Sequence, residues 1–263
     1  MKAYKNLINR VLDNGKERED RTGVGTFAVF GESHELDLAD GFPIVTLRKI
    51  AYKQAFGELA AFLHGATTKT EFQSFGCSYW NTTGSTDELG PTYGAQWCKK
   101  NPSGLSQIEE LMRGLILNPY SRRHILTTWN PQELVECVLP PCHIIAQFHI
   151  SNEGYLNCIV YMRSVDIMLG LPYDTIVYAT LMHIICNQLA LMPGKLTFYF
   201  GDAHIYKNHI MAAIKLIKNE PQPLPNLQVS YGTSVHNFSN APGELEVNAY
   251  YPLLPNVTFP LNL

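Results

Sequence analysis

Three strand-like runs lie in the second half of the chain, and one long apolar stretch separates the last two. The runs cover residues 143–150, 155–163 and 196–201, and the apolar stretch covers about 175–191. Alternation of apolar and polar residues is typical of a strand, whereas an apolar stretch of this length indicates a buried helix. Helical patterns at 4–15, 52–63 and 106–119 do not alternate regularly with the strands. The sequence therefore predicts an α+β fold in which a large sheet packs on helices.

Length and charge limit the class of protein. A chain of 263 residues, of which 46% are hydrophobic, is long enough for a large core, and we expect one domain over residues 1–263. The formal net charge of −3 argues against binding of nucleic acid through a basic surface, so we expect a small-molecule partner. No apolar run reaches the ~20 residues needed to cross a bilayer, and residues 1–20 resemble an amphipathic helix rather than a signal peptide. We therefore expect a cytoplasmic protein without a membrane partner.

The six cysteines show neither CxxC pairs nor a metal-ligand spacing with histidine, so we expect free thiols and no metal. Cys142 stands out because it lies in "LPPCHII", directly before a strand-like run. A lone cysteine is most often a small buried residue, but a thiolate beside positive charge is a strong nucleophile. Four arginines from other segments could supply that charge and clamp a phosphate: Arg21, Arg122, Arg123 and Arg163. Taken singly, each arginine fits a surface ion pair better.

A series of motifs runs through the chain from residue 4 to about 225. In order, they read "DRTGVGT", "DGFPIVT", "GELAAFLHG", "LGPTYGAQW", "NPYSRRHIL", "LPPCH", "MRSVDIMLGLPYD" and "GDAHIYKNH". This series resembles the thymidylate synthase family. The resemblance implies a large mixed sheet packed on helices and an obligate homodimer whose subunits meet sheet on sheet. It also implies methylenetetrahydrofolate as co-substrate and Cys142 as the nucleophile that adds to C6 of a pyrimidine nucleoside monophosphate.

The same resemblance assigns roles to the other residues of the expected site. The catalytic partners of Cys142 would be Glu58, Tyr93, His143 and Asp174, with Glu58 organising proton transfer and ordered water. The phosphate would be bound by Arg21, Arg163 and Ser164, together with Arg122 and Arg123 from the second subunit. The base and sugar would meet Gln147, Asp166, Asp174, His204 and Tyr206, of which the last two hold the 3′-hydroxyl. The folate would lie by Trp80, Asp166, Leu169, Gly170 and Tyr173.

Position 174 departs from the family pattern, because thymidylate synthases have asparagine where this chain has Asp174. Asparagine both donates and accepts, which matches uracil, whereas an ionised carboxylate only accepts. Cytosine offers an exocyclic amine that Asp174 can accept from, so the substitution favours dCMP by roughly 1–3 kcal/mol. A protonated Asp174, or a proton shared with cytosine N3, would also provide an electron sink. Alternatively, Asp174 only caps the long helix that follows it.

A second departure lies on the folate side of the expected site. Thymidylate synthases usually carry a second tryptophan shortly after Trp80, and this chain has Thr83 instead. A smaller and more polar residue would admit water to the exocyclic methylene intermediate, giving a hydroxymethyl product. Deoxycytidylate hydroxymethylases are similar to this chain at both positions. In contrast, the apolar end "FPLNL" is similar to that of a methylating synthase, whose terminal residues close the pocket.

We therefore predict hydroxymethylation of dCMP at C5, with dCMP methylation and ordinary thymidylate synthesis as alternatives. A hydrolase built on Cys142 and His143 fits less well, because adjacent residues of a strand point to opposite faces. A non-catalytic module that binds RNA fits less well too, because the chain has a net negative charge.

Overall fold

A six-stranded sheet lies at the centre of the computed structural model, which describes residues 1–254, 257 and 259–262. The helices are α1 (Lys2–Asn14), α2 (Tyr52–Leu63), α3 (Lys69–Ser74), α4 (Gly94–Cys98), α5 (Gln107–Leu117), α6 (Gly170–Leu189) and α7 (Ile210–Ile217). The strands are β1 (Lys16–Arg18), β2 (Thr26–Asp37), β3 (Ile125–Thr127), β4 (His143–Ile150), β5 (Tyr155–Asp166), β6 (Met192–Tyr206), β7 (Asn226–Val229) and β8 (Leu245–Asn248). The large sheet has the order β1-β2-β6-β5-β4-β3, and β7 pairs with β8 in a small second sheet.

The large sheet is mixed because it contains a parallel pair. Strands β5 and β6 run parallel, whereas β1–β2, β2–β6, β3–β4 and β4–β5 are antiparallel. Parallel neighbours need a crossover connection, and α6 supplies it between β5 and β6. A large mixed sheet packed on helices confirms the predicted α+β class.

Helix α6 corresponds to the apolar stretch of the sequence, but it begins earlier than predicted. It starts at Gly170 because Pro172 lies in the first turn, where a missing N–H costs no intrahelical hydrogen bond. The N-cap residue is Leu169, which makes no side-chain cap hydrogen bond. Asp174 therefore lies inside the helix, and the interpretation of Asp174 as an N-cap is wrong.

One face of the large sheet is buried, and the other exposes apolar side chains. The cross-strand neighbours Ile145, Tyr161 and Tyr199 lie side by side on the open face, and they are 37%, 37% and 48% exposed. Phe148 and Phe198 point to the opposite, buried face. A second subunit could cover the open face. The sheet-on-sheet homodimer stays a prediction.

The proline-rich end of the chain returns to the body of the protein. The Tyr250 hydroxyl donates to the Val45 carbonyl oxygen at 3.0 Å, and the Leu253 N–H donates to the Thr46 carbonyl at 2.8 Å. Further on, Phe259 is buried. The predicted closure of the pocket by "FPLNL" falls partly on residue 263, which lies outside the described residues.

The buried apolar residues form one hydrophobic cluster that extends from Tyr4 to Phe259. This continuity is consistent with one domain over residues 1–263, which stays a prediction. In the part of the chain that the structure describes, no helix is both long and apolar enough to cross a membrane.

Candidate active site

Cys142 follows the proline pair of "LPPCH" and directly precedes β4. Arg163 approaches it from the neighbouring strand β5, with Nη2 3.8 Å from the Cys142 Sγ atom. The same guanidinium donates to the carbonyl oxygens of Pro140 at 2.7 Å and Pro141 at 2.8 Å. Because a guanidinium is planar and these hydrogen bonds fix its orientation, the positive charge is held next to the thiol. The structure thus brings together two residues from separate motifs.

Tyr93 holds the backbone of Cys142. The Cys142 N–H donates to the Tyr93 hydroxyl oxygen at 3.0 Å. Tyr93 has a φ of +41°, which residues other than glycine rarely adopt. Its ring stacks on Phe62 with 5.1 Å between centroids, and its centroid lies 4.3 Å from that of His143. Packing on these two rings helps to maintain a strained backbone, and such strain is common at functional sites.

Burial and positive charge act in opposite directions on the Cys142 thiol. Burial is the largest effect and raises its pKa, and Asp174 raises the pKa further. Arg163 and Arg21 lower the pKa without reversing the shift. The motifs predict four arginines that favour the thiolate, but in a single chain burial outweighs Arg163 and Arg21, the two that lower the pKa of the thiol. The free chain therefore holds Cys142 mainly as a thiol.

Glu58 of α2 is a buried carboxyl group next to Trp80, one of the predicted folate ligands. Its Oε1 atom accepts a hydrogen bond from Trp80 Nε1 at 2.7 Å, and the residue is 6% exposed. Burial raises the pKa of Glu58 to about 7, although the Tyr79 hydroxyl and the Trp80 indole stabilise its charge. A carboxyl group with a pKa near neutrality can both accept and donate a proton.

Asp174 faces His143 from helix α6. Its Oδ1 atom lies 3.9 Å from His143 Nε2, and its side chain is 19% exposed. The other ring nitrogen of His143, Nδ1, lies 2.7 Å from the Tyr178 hydroxyl. Burial lowers the pKa of His143 to about 3, so its ring is neutral. Burial, and then Glu58 and Asp166, raise the pKa of Asp174 well above its usual value. Asp174 can therefore hold a proton at a pH where an ordinary aspartate has lost it.

The predicted phosphate ligands fall into two groups. Arg163 and Ser164 lie on β5, and Arg21 is close enough to affect the thiol of the site. Arg122 and Arg123 are exposed in the segment before β3. Within the described residues, neither of their guanidinium groups forms an ion pair or hydrogen bond with the residues around the thiol. Their exposure is consistent with the prediction that they serve a second subunit.

His204 and Tyr206 lie at the end of β6, next to the end of β5. The parallel register pairs His204 with Asp166. His204 Nδ1 lies 2.8 Å from the Asp202 Oδ1 atom, which orients the imidazole ring. Asp166 Oδ1 accepts a hydrogen bond from the Leu169 N–H at 3.2 Å. The structure therefore groups the predicted sugar ligands with one predicted ligand of base or folate.

Three of the predicted folate-side residues lie at the start of α6: Leu169, Gly170 and Tyr173. A Cβ atom on Gly170 would lie 3.6 Å from Asp174 Oδ2, so this glycine lies directly beside that carboxyl group. The Tyr173 ring packs edge-on against Tyr79, with 5.3 Å between centroids. Tyr79 immediately precedes Trp80, whose ring packs against Phe72 and Tyr93.

Gln147 lies apart from these residues. It is exposed on the open face of the sheet, and its register partners are Ile125 and Ile159. Its Nε2 atom donates to the Arg122 carbonyl oxygen at 3.1 Å. No hydrogen bond joins its side chain to Cys142 in the described part of the chain. A position of Gln147 beside the nucleotide stays a prediction.

A family model described as "Thymidylate synthase" matches residues 2–262. The chain belongs to the thymidylate synthase family. Membership of the thymidylate synthase family supports transfer of a one-carbon unit from methylenetetrahydrofolate to C5 of a pyrimidine nucleotide. The folate is a co-substrate in this family. Within the ranges 1–254, 257 and 259–262, no group of three or more His, Cys, Asp or Glu side chains could hold a metal ion.

Two tyrosines of this thymidylate synthase family site were not predicted from the motifs. Tyr178 orients His143, and it lies four residues after Asp174, on the same face of α6. Tyr79 lies beside Glu58 and adjacent in sequence to Trp80. Helical spacing could have indicated Tyr178, whereas only the fold brings Tyr79 to Glu58.

Proposed function

We propose that this enzyme converts dCMP to 5-hydroxymethyl-dCMP, with methylenetetrahydrofolate as co-substrate. The position of Asp174 is the observation that carries the proposal. Its carboxyl group lies beside the neutral His143 ring and within α6, so it has no capping role. Where other members of the family present an asparagine to uracil, this chain presents a group with different hydrogen-bonding properties.

A protonated Asp174 is matched to cytosine. Its O–H can donate to cytosine N3, and its other oxygen can accept from the exocyclic amine. If the proton moves to N3, both hydrogen bonds become charge-assisted and stronger. With uracil the hydrogen bonds stay uncharged, because uracil N3 already carries a hydrogen and cannot accept the proton of Asp174. The raised pKa of Asp174, caused mainly by burial, favours the shared proton and therefore dCMP.

The shared proton also assists the addition of Cys142. When Sγ adds to C6, electrons of the C5=C6 bond move into the ring, and a positive charge near N3 stabilises them. Arg163 stabilises the thiolate that attacks, since its guanidinium lies 3.8 Å from Sγ. The Tyr93 hydroxyl accepts a hydrogen bond from the backbone N–H of Cys142 and so fixes the position of the nucleophile. Addition at C6 makes C5 nucleophilic toward the one-carbon unit.

The folate side of the site fits an aromatic co-substrate. Tyr79 packs edge-on against Tyr173, and Trp80 is adjacent to Tyr79 in sequence, so a flat ring can pack near these aromatic side chains. When bound, the co-substrate supplies the methylene carbon that becomes attached to C5. Glu58, whose pKa is about 7, can then accept the proton that C5 loses.

The methylene carbon on C5 has two fates, since hydride gives a methyl group and water gives a hydroxymethyl group. Thr83 follows the turn that contains Trp80, and its N–H donates to the Trp80 carbonyl oxygen at 2.9 Å. A threonine side chain is smaller and more polar than that of a second tryptophan, so it leaves more room for water near this carbon. We therefore favour water as the final nucleophile, with dCMP methylation and thymidylate synthesis as the alternatives.

We also propose that two copies of the chain form the functional unit. The open face of the sheet carries Ile145, Tyr161 and Tyr199, which a second copy of the same face could cover. Arg122 and Arg123 are exposed close to this sheet, before β3. In the dimer they would complete the phosphate site of the other subunit with a bidentate contact.

The direct test is a competition between bases. The protein is incubated with methylenetetrahydrofolate and equal amounts of dCMP and dUMP, and nucleotide products are identified by mass while dihydrofolate is followed by absorbance. We expect hydroxymethyl-dCMP without dihydrofolate. Formation of methyl-dCMP with dihydrofolate would support base selection by Asp174 and refute water as the final nucleophile. Formation of thymidylate alone would refute both claims.

A further inference from the structure

The Tyr79 hydroxyl is a buried polar group without a hydrogen-bond partner among the described residues. It lies close enough to Glu58 to stabilise the charge of that carboxyl group, but the two do not form a hydrogen bond of ordinary geometry. Buried hydroxyls in folded proteins are nearly always bonded, either to protein or to ordered water. A small polar molecule that bonds to both groups would satisfy the hydroxyl.

The surroundings of Tyr79 fix where its hydroxyl points. Trp80, the next residue, already occupies Glu58 Oε1 with its indole N–H at 2.7 Å, so Oε2 is left to accept from another donor. The Tyr79 ring packs edge-on against Tyr173, with centroids 5.3 Å apart. Tyr173 is the residue before Asp174, whose charge also acts on the Tyr79 hydroxyl. The hydroxyl therefore lies between the carboxyl group of α2 and the start of α6.

We propose that Tyr79 is a positioning residue whose hydroxyl, together with Glu58 Oε2, holds the water molecule that attacks the methylene carbon on C5. The proposal rests on the proposed hydroxymethylation and names the side chain that places its nucleophile. A water molecule needs two or more polar partners to be ordered in a buried site, and these two groups provide them. The missing second tryptophan, at Thr83, lies in the same segment of the chain.

The step is balanced without an added oxidant or reductant. The water oxygen forms a bond to the methylene carbon, and the electrons of the C5=CH2 double bond move into the ring. One proton of the water passes to the Glu58 carboxylate. The bond between C6 and Cys142 Sγ then breaks, the thiolate leaves with its electron pair, and the C5=C6 double bond forms again. The co-substrate has already left as tetrahydrofolate, and its leaving nitrogen took the proton that Glu58 had accepted from C5, so Glu58 is again a carboxylate when water attacks.

The test compares the wild-type protein with the variant Tyr79→Phe, which removes only the hydroxyl. The matched control is Tyr52→Phe on α2, because the Tyr52 ring also packs edge-on against aromatic neighbours, Phe56 and Tyr250. Two rates are measured in a single turnover with dCMP labelled with deuterium at C5: loss of the label, which precedes attack by water, and formation of hydroxymethyl-dCMP. We expect Tyr79→Phe to lower the second rate about tenfold and the first less than about twofold. The control should change neither rate.

Equal loss of both rates in Tyr79→Phe would mean that the side chain only supports packing, and it would overturn the proposal. So would unchanged rates. A crystal structure with dCMP provides a second readout: a water bonded to both the Tyr79 hydroxyl and Glu58 supports the proposal, and a direct hydrogen bond between them refutes it. Failure of the proposed function is detected separately, because the wild-type protein would then form no hydroxymethyl-dCMP.

Discussion

Burial sets the ionisation of the groups around Cys142. It raises the pKa values of this thiol, of Glu58 and of Asp174, and it lowers the pKa of His143 to about 3. Arg163 offsets only part of the effect on the thiol. The free chain thus favours uncharged forms of these groups, which avoids the free-energy cost of burying isolated charges.

The pKa of Glu58 predicts a pH dependence. Because Glu58 must be ionised to accept the C5 proton, the rate of label loss from C5 should rise with pH through about 7. In Glu58→Gln the inflection near pH 7 should disappear, leaving only the rise due to the Cys142 thiol, and the rate should fall by about a hundredfold or more. The measurement is the rate of label loss between about pH 5.5 and 9. An inflection near pH 7 that persists in Glu58→Gln would show that a group other than Glu58 causes it.

Asp174 predicts a pH dependence of stability. Its pKa is raised on folding, so between the unfolded value of about 3.9 and the folded value the folded state binds more protons. Stability should therefore fall as pH rises through this interval. Asparagine has no such proton, so the melting temperature of Asp174→Asn relative to wild type should increase from about pH 4 to about pH 8. A difference that is independent of pH, or a loss at every pH as expected for an N-cap, would contradict this prediction.

At the scale of elements, the close approach of α4 to α2 positions Tyr93. A Cβ atom on Gly94 would lie only 2.2 Å from the Phe62 Cα atom. Alanine at this position would force the two helices apart, so Gly94→Ala should lower the free energy of unfolding by about 1–3 kcal/mol. Urea denaturation measures this change. The matched variant is Gly170→Ala, whose Cβ would meet its nearest neighbour at 3.6 Å, and equal losses in the two variants would refute the explanation.

Elements with a clear period could be predicted from the sequence. The predictions for α2 and β4 agree with the observed bounds Tyr52–Leu63 and His143–Ile150, because apolar residues recur there with the helical or strand spacing. The lengths of β6 and α6 could not be predicted. Strand β6 extends over Met192–Tyr206 because β2 pairs with it as far as Tyr206 and β5 as far as His204, beyond the point near Gly201 where the apolar alternation breaks.

The candidate site, too, could be predicted only in part from the sequence. Motifs grouped Cys142 with Arg163, and the structure brings these two residues into contact. No motif could indicate that the Tyr79 hydroxyl would lie unpartnered beside Glu58, because this contact depends on how a short turn packs on α2. Contacts between elements that are distant in sequence depend on the whole fold and not on local pattern.

At the scale of the whole molecule, the exposed arginines predict that active sites are shared between subunits. A Cys142→Ser chain and an Arg122→Ala, Arg123→Ala chain should each be nearly inactive alone. After mixing and exchange of subunits, one site of each mixed dimer contains both the intact thiol and intact arginines. About a quarter of wild-type activity should return, as random pairing of two chain types requires. Activity that does not return, although mixed dimers are detected by mass, would show that each chain uses its own arginines.

The most direct test of the central claim is the base preference of Asp174→Asn. The measurement is kcat/KM for dCMP and for dUMP in the wild-type protein and in this variant, with methylenetetrahydrofolate saturating. We predict that the wild type prefers dCMP and that the variant prefers dUMP, with a change in the ratio of at least about a hundredfold. An unchanged preference in the variant would contradict the assignment of Asp174 as the residue that reads the base.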